Sequence, residues 1–350
     1  MTMTTTRHPA RHPAHNTVVL SLGRITVAAL LAAAAGAAHA QSTPAPDAAR
    51  EALKARDGDV SQASLLKETL SQAEKQYSLL KTGKLSLNYD LGYAYVGTET
   101  LNVKFTDSTL TLFNIQNTRS HTLTNTISAD YGLRDNLTVT GSLPLISRYS
   151  QSDTFGGLSH GLGDLAVGAR YQPFELSRDG AAITTTATLR LPTGRSPFNT
   201  IASQNLATGS GFTSLTLGLN ASKVLDPVAL FGSVNTTLAL PAKHLSQERD
   251  GVTLSEVRPG PSIGFGLGFA YALSYSVSTT ISLQETISSR TTLRFKDGTS
   301  SRTATQTSAS LNMGLGVRVS PKTTVNLTAG LGLTSDSPDF TLSMNMPLAF

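Results

Sequence analysis

Between Asp339 and Phe350 the chain alternates without a break. Phe340, Leu342, Met344, Met346, Leu348 and Phe350 take the even positions, and Thr341, Ser343, Asn345, Pro347 and Ala349 the odd ones. A strand turns successive side chains to opposite faces, so this stretch predicts a strand with one apolar row and one small, mostly polar row. The period of two recurs upstream. In Lys84–Val96, Leu85, Leu87, Tyr89, Leu91, Tyr93 and Tyr95 oppose Ser86, Asn88, Asp90, Gly92 and Ala94. Strands are also predicted over 120–133, 137–145, 161–173, 181–191, 211–222, 228–240, 261–272, 277–284, 303–319 and 324–333, twelve in all.

The connections alternate in length. Long ones cover 98–119, 146–160, 192–210, 241–260 and 285–302; short ones cover 134–136, 174–180, 223–227, 273–276 and 320–322. After the leader no window holds the roughly twenty apolar residues that a spanning helix needs. A membrane chain without such helices has to close its strands into a barrel, since hydrocarbon satisfies no open sheet edge. The expected fold is therefore all-β: a twelve-stranded antiparallel transmembrane β-barrel over 84–350, its apolar rows on lipid and its polar rows on the lumen. Tyr131, Tyr171 and Tyr271 fall just before short turns on the apolar rows, and Tyr93 and Tyr95 mark the opposite rim, as an aromatic girdle requires.

Ahead of the barrel, Met1–Ala40 reads as a cleaved secretory signal. Arg7, Arg11 and Arg24 precede or open an apolar run ending at Ala38-His39-Ala40. Residues 41–83 follow as a periplasmic linker and a short amphipathic α-helix. The helix is predicted over 61–81, stopping at Thr82-Gly83, where glycine can adopt the left-handed cap. Its seam is Ala63, Leu66, Leu70, Ala73, Tyr77 and Leu80, spaced three and four residues apart. Two uses fit that seam: a plug in the barrel mouth, or a short coiled coil joining barrels into a homo-oligomer.

Composition narrows the function. Only 15% of residues are charged and cysteine is absent, so an exported chain of this kind is held by backbone pairing and burial rather than disulfides. The formal net charge of +5, less the three leader arginines, leaves +2, which gives no reason to expect a nucleic-acid partner. No metal or cofactor is expected, and Gly161-x-Gly163 precedes a strand rather than a helix, unlike a nucleotide loop. The histidines of the mature chain, His121, His160 and His244, lie in or beside long connections without a His-x-Ser arrangement, so no enzyme is expected. The inward rows are mostly Ser, Thr, Gly, Ala and Asn. Their charges, Asp90, Asp130, Asp164, Arg170, Arg190 and Arg318, are candidates for solute selectivity or plug docking, or else pair with one another, as Asp164 could with Arg170.

Three segments carry a resemblance: Tyr131-Gly-Leu-Arg-Asp-Asn-Leu-Thr-Val139, Gly161-Leu-Gly-Asp-Leu-Ala-Val-Gly-Ala-Arg-Tyr171 and Leu189-Arg-Leu-Pro-Thr-Gly194. In these the chain resembles the transporter-like outer-membrane proteins named for the meta-pathway of phenol degradation. The resemblance implies an outer-membrane channel for small solutes, hydrophobic or aromatic ones included. More distantly, the architecture is similar to the pseudomonad channel that secretes functional-amyloid subunits, which implies a polypeptide cargo. The last strand with its terminal Phe350 resembles the signal read by the barrel-assembly machinery. That implies outer-membrane lipid and this machinery as partners.

Overall fold

The computed structural model describes residues 79–348, apart from 107–108, 153–155, 175–179, 199–205, 226–227, 246, 250–251, 275 and 321–322. Among the described residues eighteen strands run in chain order: β1 (Leu85–Thr106), β2 (Thr109–Arg134), β3 (Leu137–Ser152), β4 (Gly156–Leu162), β5 (Leu165–Tyr171), β6 (Ala182–Leu191), β7 (Ser214–Leu225), β8 (Val228–Ala239), β9 (Ala242–Lys243), β10 (Glu248–Arg249), β11 (Val252–Arg258), β12 (Ser262–Ala272), β13 (Val277–Ser288), β14 (Thr292–Phe295), β15 (Ser300–Arg302), β16 (Gln306–Ser320), β17 (Thr323–Gly332) and β18 (Phe340–Leu348). The ends of β1 and β2 across Thr98–Thr118 fall in a different compact unit from the rest of the described strands.

The barrel is a closed antiparallel sheet of twelve strands, with β4 and β5 as two halves of one strand. Its order is β2-β1-β18-β17-β16-β13-β12-β8-β7-β6-β5-β3, and β3 pairs back to β2. Closure is made by the segment with the cleanest alternation. β18 pairs with β1 from Leu87 opposite Leu348 to Tyr95 opposite Phe340, so the apolar rows of the first and last strands merge. No barrel edge is left to pair with another chain.

The wall is apolar outside. Leu267 is 67% exposed, Ile263 57% and Val234 55%, whereas inward Ala270 and Thr138 are 0% exposed. A surface with so many exposed leucines would aggregate in water; against hydrocarbon it is the favourable arrangement. Tyr131, Tyr171 and Tyr271 stand on this face beside the short turns. Near the opposite rim, His121 lies among Tyr93, Tyr95 and Tyr149, with Tyr93 Oη 2.9 Å from its Nδ1.

Four features depart from the sequence reading. The predicted long connections at 98–119 and 146–160 are largely strand: β1 continues to Thr106, β2 starts at Thr109 and β3 runs to Ser152. The loops 241–260 and 285–302 build a separate five-stranded sheet from β9, β10, β11, β14 and β15. Leu79–Lys81, expected as the end of a helix, are not helical. The Leu80 amide instead donates to Thr138 Oγ1 at 2.8 Å, and the Gly83 amide to the Gly132 carbonyl at 2.8 Å, so wall contacts replace helical ones. Gly83 does adopt positive φ (73°), within the turn that leads into β1. The remaining seam positions, Ala63, Leu66, Leu70, Ala73 and Tyr77, and the terminal Phe350 lie outside the described residues.

The fourth departure is a β-bulge. Three steps on β3, from Leu145 to Ser142, face four steps on the partner, from Leu162 to Ala166. The extra residue sits at Gly163-Asp164, beside Pro144, whose carbonyl accepts from the Gly163 amide at 2.8 Å. Such an insertion reverses the alternation and re-aims side chains. Leu162 and Leu165 therefore both face outward, and Asp164 between them turns in.

Candidate functional site

The alternation that turns leucine and valine outward turns a row of small polar side chains inward. Inside the barrel they enclose a cavity of about 570 Å³. Hydroxyls of Thr126, Ser128, Thr140, Ser142, Thr186, Thr188 and Thr216 and amides of Asn88, Asn220, Asn235 and Asn345 line it, and no aromatic side chain does. Glycine at Gly218 leaves the room that a larger side chain would fill.

Of the six charged candidates, three line this cavity: Asp90, Asp130 and Arg170. Register explains how β2 and β5 bring two of them together. Arg170 pairs across β3 with Thr138, and its guanidinium reaches past to Asp130, Nη2 to Oδ1 at 2.8 Å. Both side chains are largely buried, 10% and 14% exposed, so the ion pair is protected from solvent screening. Asn88 Nδ2 donates to the other Asp130 oxygen at 3.2 Å. On the next inward position of β1, Asp90 accepts from Asn345 Nδ2 across the β1–β18 seam. The cavity thus holds one neutralised pair and one further carboxylate.

Asp164 belongs to neither, and its expected pairing with Arg170 is not formed. It is buried, and its carboxylate holds the backbone of the following long connection. The Gly194 amide donates to Oδ1 at 3.1 Å, the Ser210 amide to Oδ2 at 2.7 Å, and the Ser210 hydroxyl to Oδ2 at 2.6 Å. Around it, Thr193 Oγ1 donates to the Gly163 carbonyl and accepts from the Leu165 amide, both at 2.9 Å. Thr208 Oγ1 donates to the Leu162 carbonyl at 2.8 Å. Gly194 and Gly209 cross so closely that a Cβ on either would lie 2.8–2.9 Å from the other's backbone, which glycine alone accommodates. Two of the segments picked out in the sequence, Gly161-Leu-Gly-Asp164 and Leu191-Pro-Thr-Gly194, are therefore two halves of one loop anchor.

Arg190, at the long-connection end of β6, is exposed, and Arg318 sits on β16 with its amide donating to the Ser276 carbonyl at 2.8 Å; neither lines the cavity. Sequence reasoning missed Asn88 and Asn345 as site residues. Their inward parity was visible, but nothing in the sequence showed that they bond the carboxylates.

His160 Nδ1 lies 2.9 Å from Ser147 Oγ on the exposed outer face. Nucleophilic catalysis needs a third group to orient the imidazole, and among the described residues none is bonded to its other nitrogen. Among these residues no group of histidine and acidic side chains is placed to hold a metal ion.

No protein-family profile matches the chain. Among solved structures it is similar to an outer membrane channel from Pseudomonas putida F1, with a TM-score of 0.57 and 17% identity over 78% of this chain and 98% of that one. It also aligns with the translocator domain of the autotransporter NalP from Neisseria meningitidis, at a TM-score of 0.47 and 10% identity over 82% of this chain and 96% of that one. The transport unit of the Escherichia coli autotransporter AIDA-I gives 0.45 and 12% over 82% and 98%. The fold is that of an outer-membrane β-barrel.

Proposed function

We propose that the protein is an outer-membrane channel that passes small solutes through its lumen. The observation that carries this reading is the polar cavity enclosed by a closed wall whose outside is apolar. A wall of small hydroxyl and amide side chains offers replacements for a solute's hydration shell, and its volume suits a small molecule. The lining favours hydrophilic solutes over the aromatic ones implied by the resemblance to the phenol meta-pathway proteins, because it has no ring to stack on.

The same reading assigns the segment before Leu80 to the lumen as a plug rather than to an oligomer. Supporting it, Leu80 and Lys81 abut the inward side of Gly132, and the Leu80 amide bonds the inward, fully buried Thr138. The chain therefore reaches β1 along the lumen side of the wall. Planar-bilayer recording of the mature chain tests both parts. Discrete conductance is expected, and a larger conductance once 61–81 is deleted. Absence of conductance in both proteins refutes the channel; unchanged conductance with loss of an oligomer refutes the plug.

A further inference from the structure

Two asparagines on one side of the cavity have carbonyl oxygens with nothing to bond. A carboxylate only accepts, so an amide beside one must present its NH2 group. Asn88 gives its Nδ2 to Asp130 and Asn345 gives its Nδ2 to Asp90. This fixes both Oδ1 atoms, which are buried and have no donor among the described residues. Asn88 is only 6% exposed. A buried acceptor without a donor costs about 1–3 kcal/mol, which makes two at one place a feature to explain.

Between them stands Asp90. It shares the inward row of β1 with Asn88 and faces Asn345 in register across the seam. Since Arg170 neutralises Asp130, Asp90 carries the net charge of the cavity lining. Two fixed carbonyl oxygens and a carboxylate form a surface that accepts hydrogen bonds and bears negative charge. The geometry points to a subsite for a cationic, hydrogen-bond-donating group, a protonated amine on a small hydrophilic solute. Such a group fills the open acceptors and balances Asp90 in one step. This inference rests on the channel reading and names the solute class for it. Arg190 shares the inward parity of β6 nearer the long-connection end but does not line the cavity.

The test is bilayer recording of the mature chain under a potassium chloride gradient, with 1,4-diaminobutane as the probe. The expected result is several-fold preference for potassium over chloride and brief current blocks by the diamine. Asp90→Asn, nearly isosteric, should abolish both while the protein still shows heat-modifiable gel migration. Asp130→Asn removes one of the two carboxylates of the lining and should move selectivity toward chloride. Chloride preference in the unaltered protein, or unchanged selectivity and block in Asp90→Asn, overturns the subsite while leaving the channel standing. If no current flows at all the channel reading fails. Calorimetric titration of the solubilised protein with the diamine then decides the subsite, since heat that Asp90→Asn removes supports it and no heat from the unaltered protein overturns it.

Discussion

The barrel wall and the loop sheet are built by one chain under opposite rules. In the wall, leucines face outward and the buried positions include Thr138, Thr184, Asn220 and Ser278. In the sheet of β9, β10, β11, β14 and β15, Leu245, Leu254 and Val257 are buried, with Phe198, Ala242, Leu293 and Phe295 packed on them. Both use the period of two, so alternation alone does not say which row is inside. The surroundings decide. Covering a polar row with hydrocarbon is costly and covering an apolar one is not, whereas the loop sheet stands in water and must bury its own apolar row. The β14–β15 turn shows the soluble style as well: Asp297 accepts from the Thr299 amide at 2.9 Å and its hydroxyl at 2.7 Å, and Gly298 takes positive φ (85°).

The comparison predicts that one type of substitution has opposite consequences in the two regions. The largest effect is expected from Leu254→Asp, which places a charge where a fully buried leucine sat. Losing a core leucine costs about 2–5 kcal/mol before the charge is counted. The loop sheet should become sensitive to protease, while heat-modifiable migration shows the barrel intact. Next is Leu267→Arg, exposed by area yet on the lipid face of β12. It should lower barrel stability by about 2–4 kcal/mol in urea titrations from lipid vesicles, where the same change on a water-facing surface would do little.

Asp164→Ala comes third. It removes the acceptor of three hydrogen bonds, a net loss of about 1–3 kcal/mol once water reaches the freed donors. Limited proteolysis within 193–213 should accelerate with the wall unaltered, which separates the loop anchor from the lumen charges. The smallest effect concerns pH. The Arg258 hydrogen bond, at 2.9 Å, with the nearby Arg258, Arg294 and Lys243 charges, holds the Glu256 carboxyl below its usual value. A depressed carboxylate contributes stability above its unfolded pKa and loses it as pH falls through the folded one. Protease sensitivity of the loop sheet should therefore rise slightly below pH 4.5, the ordinary value for a glutamate, and Glu256→Gln should remove that dependence.

These regions also show what the sequence could convey. The barrel strands were legible because lipid demands an uninterrupted apolar row, and β7 or β18 supplies one residue by residue. Beyond the hydrocarbon that demand ends. The end of β3 carries Arg148 and Ser150 and pairs with β4 there, whereas the extensions of β1 and β2 keep an alternation, Leu101, Val103 and Phe105 and then Leu110 and Leu112, that the sequence reading passed over. The loop sheet had a signal in Leu293 and Phe295 opposite Leu254 and Val257, but its strands are short and irregular, with a register shift between Leu254 and Glu256. The site was half legible. Parity identified Asp90, Asp130 and Arg170 as inward, whereas the pairing of Arg170 with Asp130 depends on strands distant in sequence. The role of Asp164 depends on a bulge that shows only when β3 is laid beside its partner.

The central claim is that alternate residues of the wall meet water and lipid, and the absence of cysteine allows it to be tested directly. Single cysteines at Leu215, Thr216, Leu217, Gly218 and Leu219 of β7 can be exposed in vesicles to a small, charged thiol reagent, in the chain lacking 61–81. Modification at 216 and 218, with 215, 217 and 219 protected, is the result predicted. Uniform labelling, or labelling at the three leucine positions instead, would contradict the account.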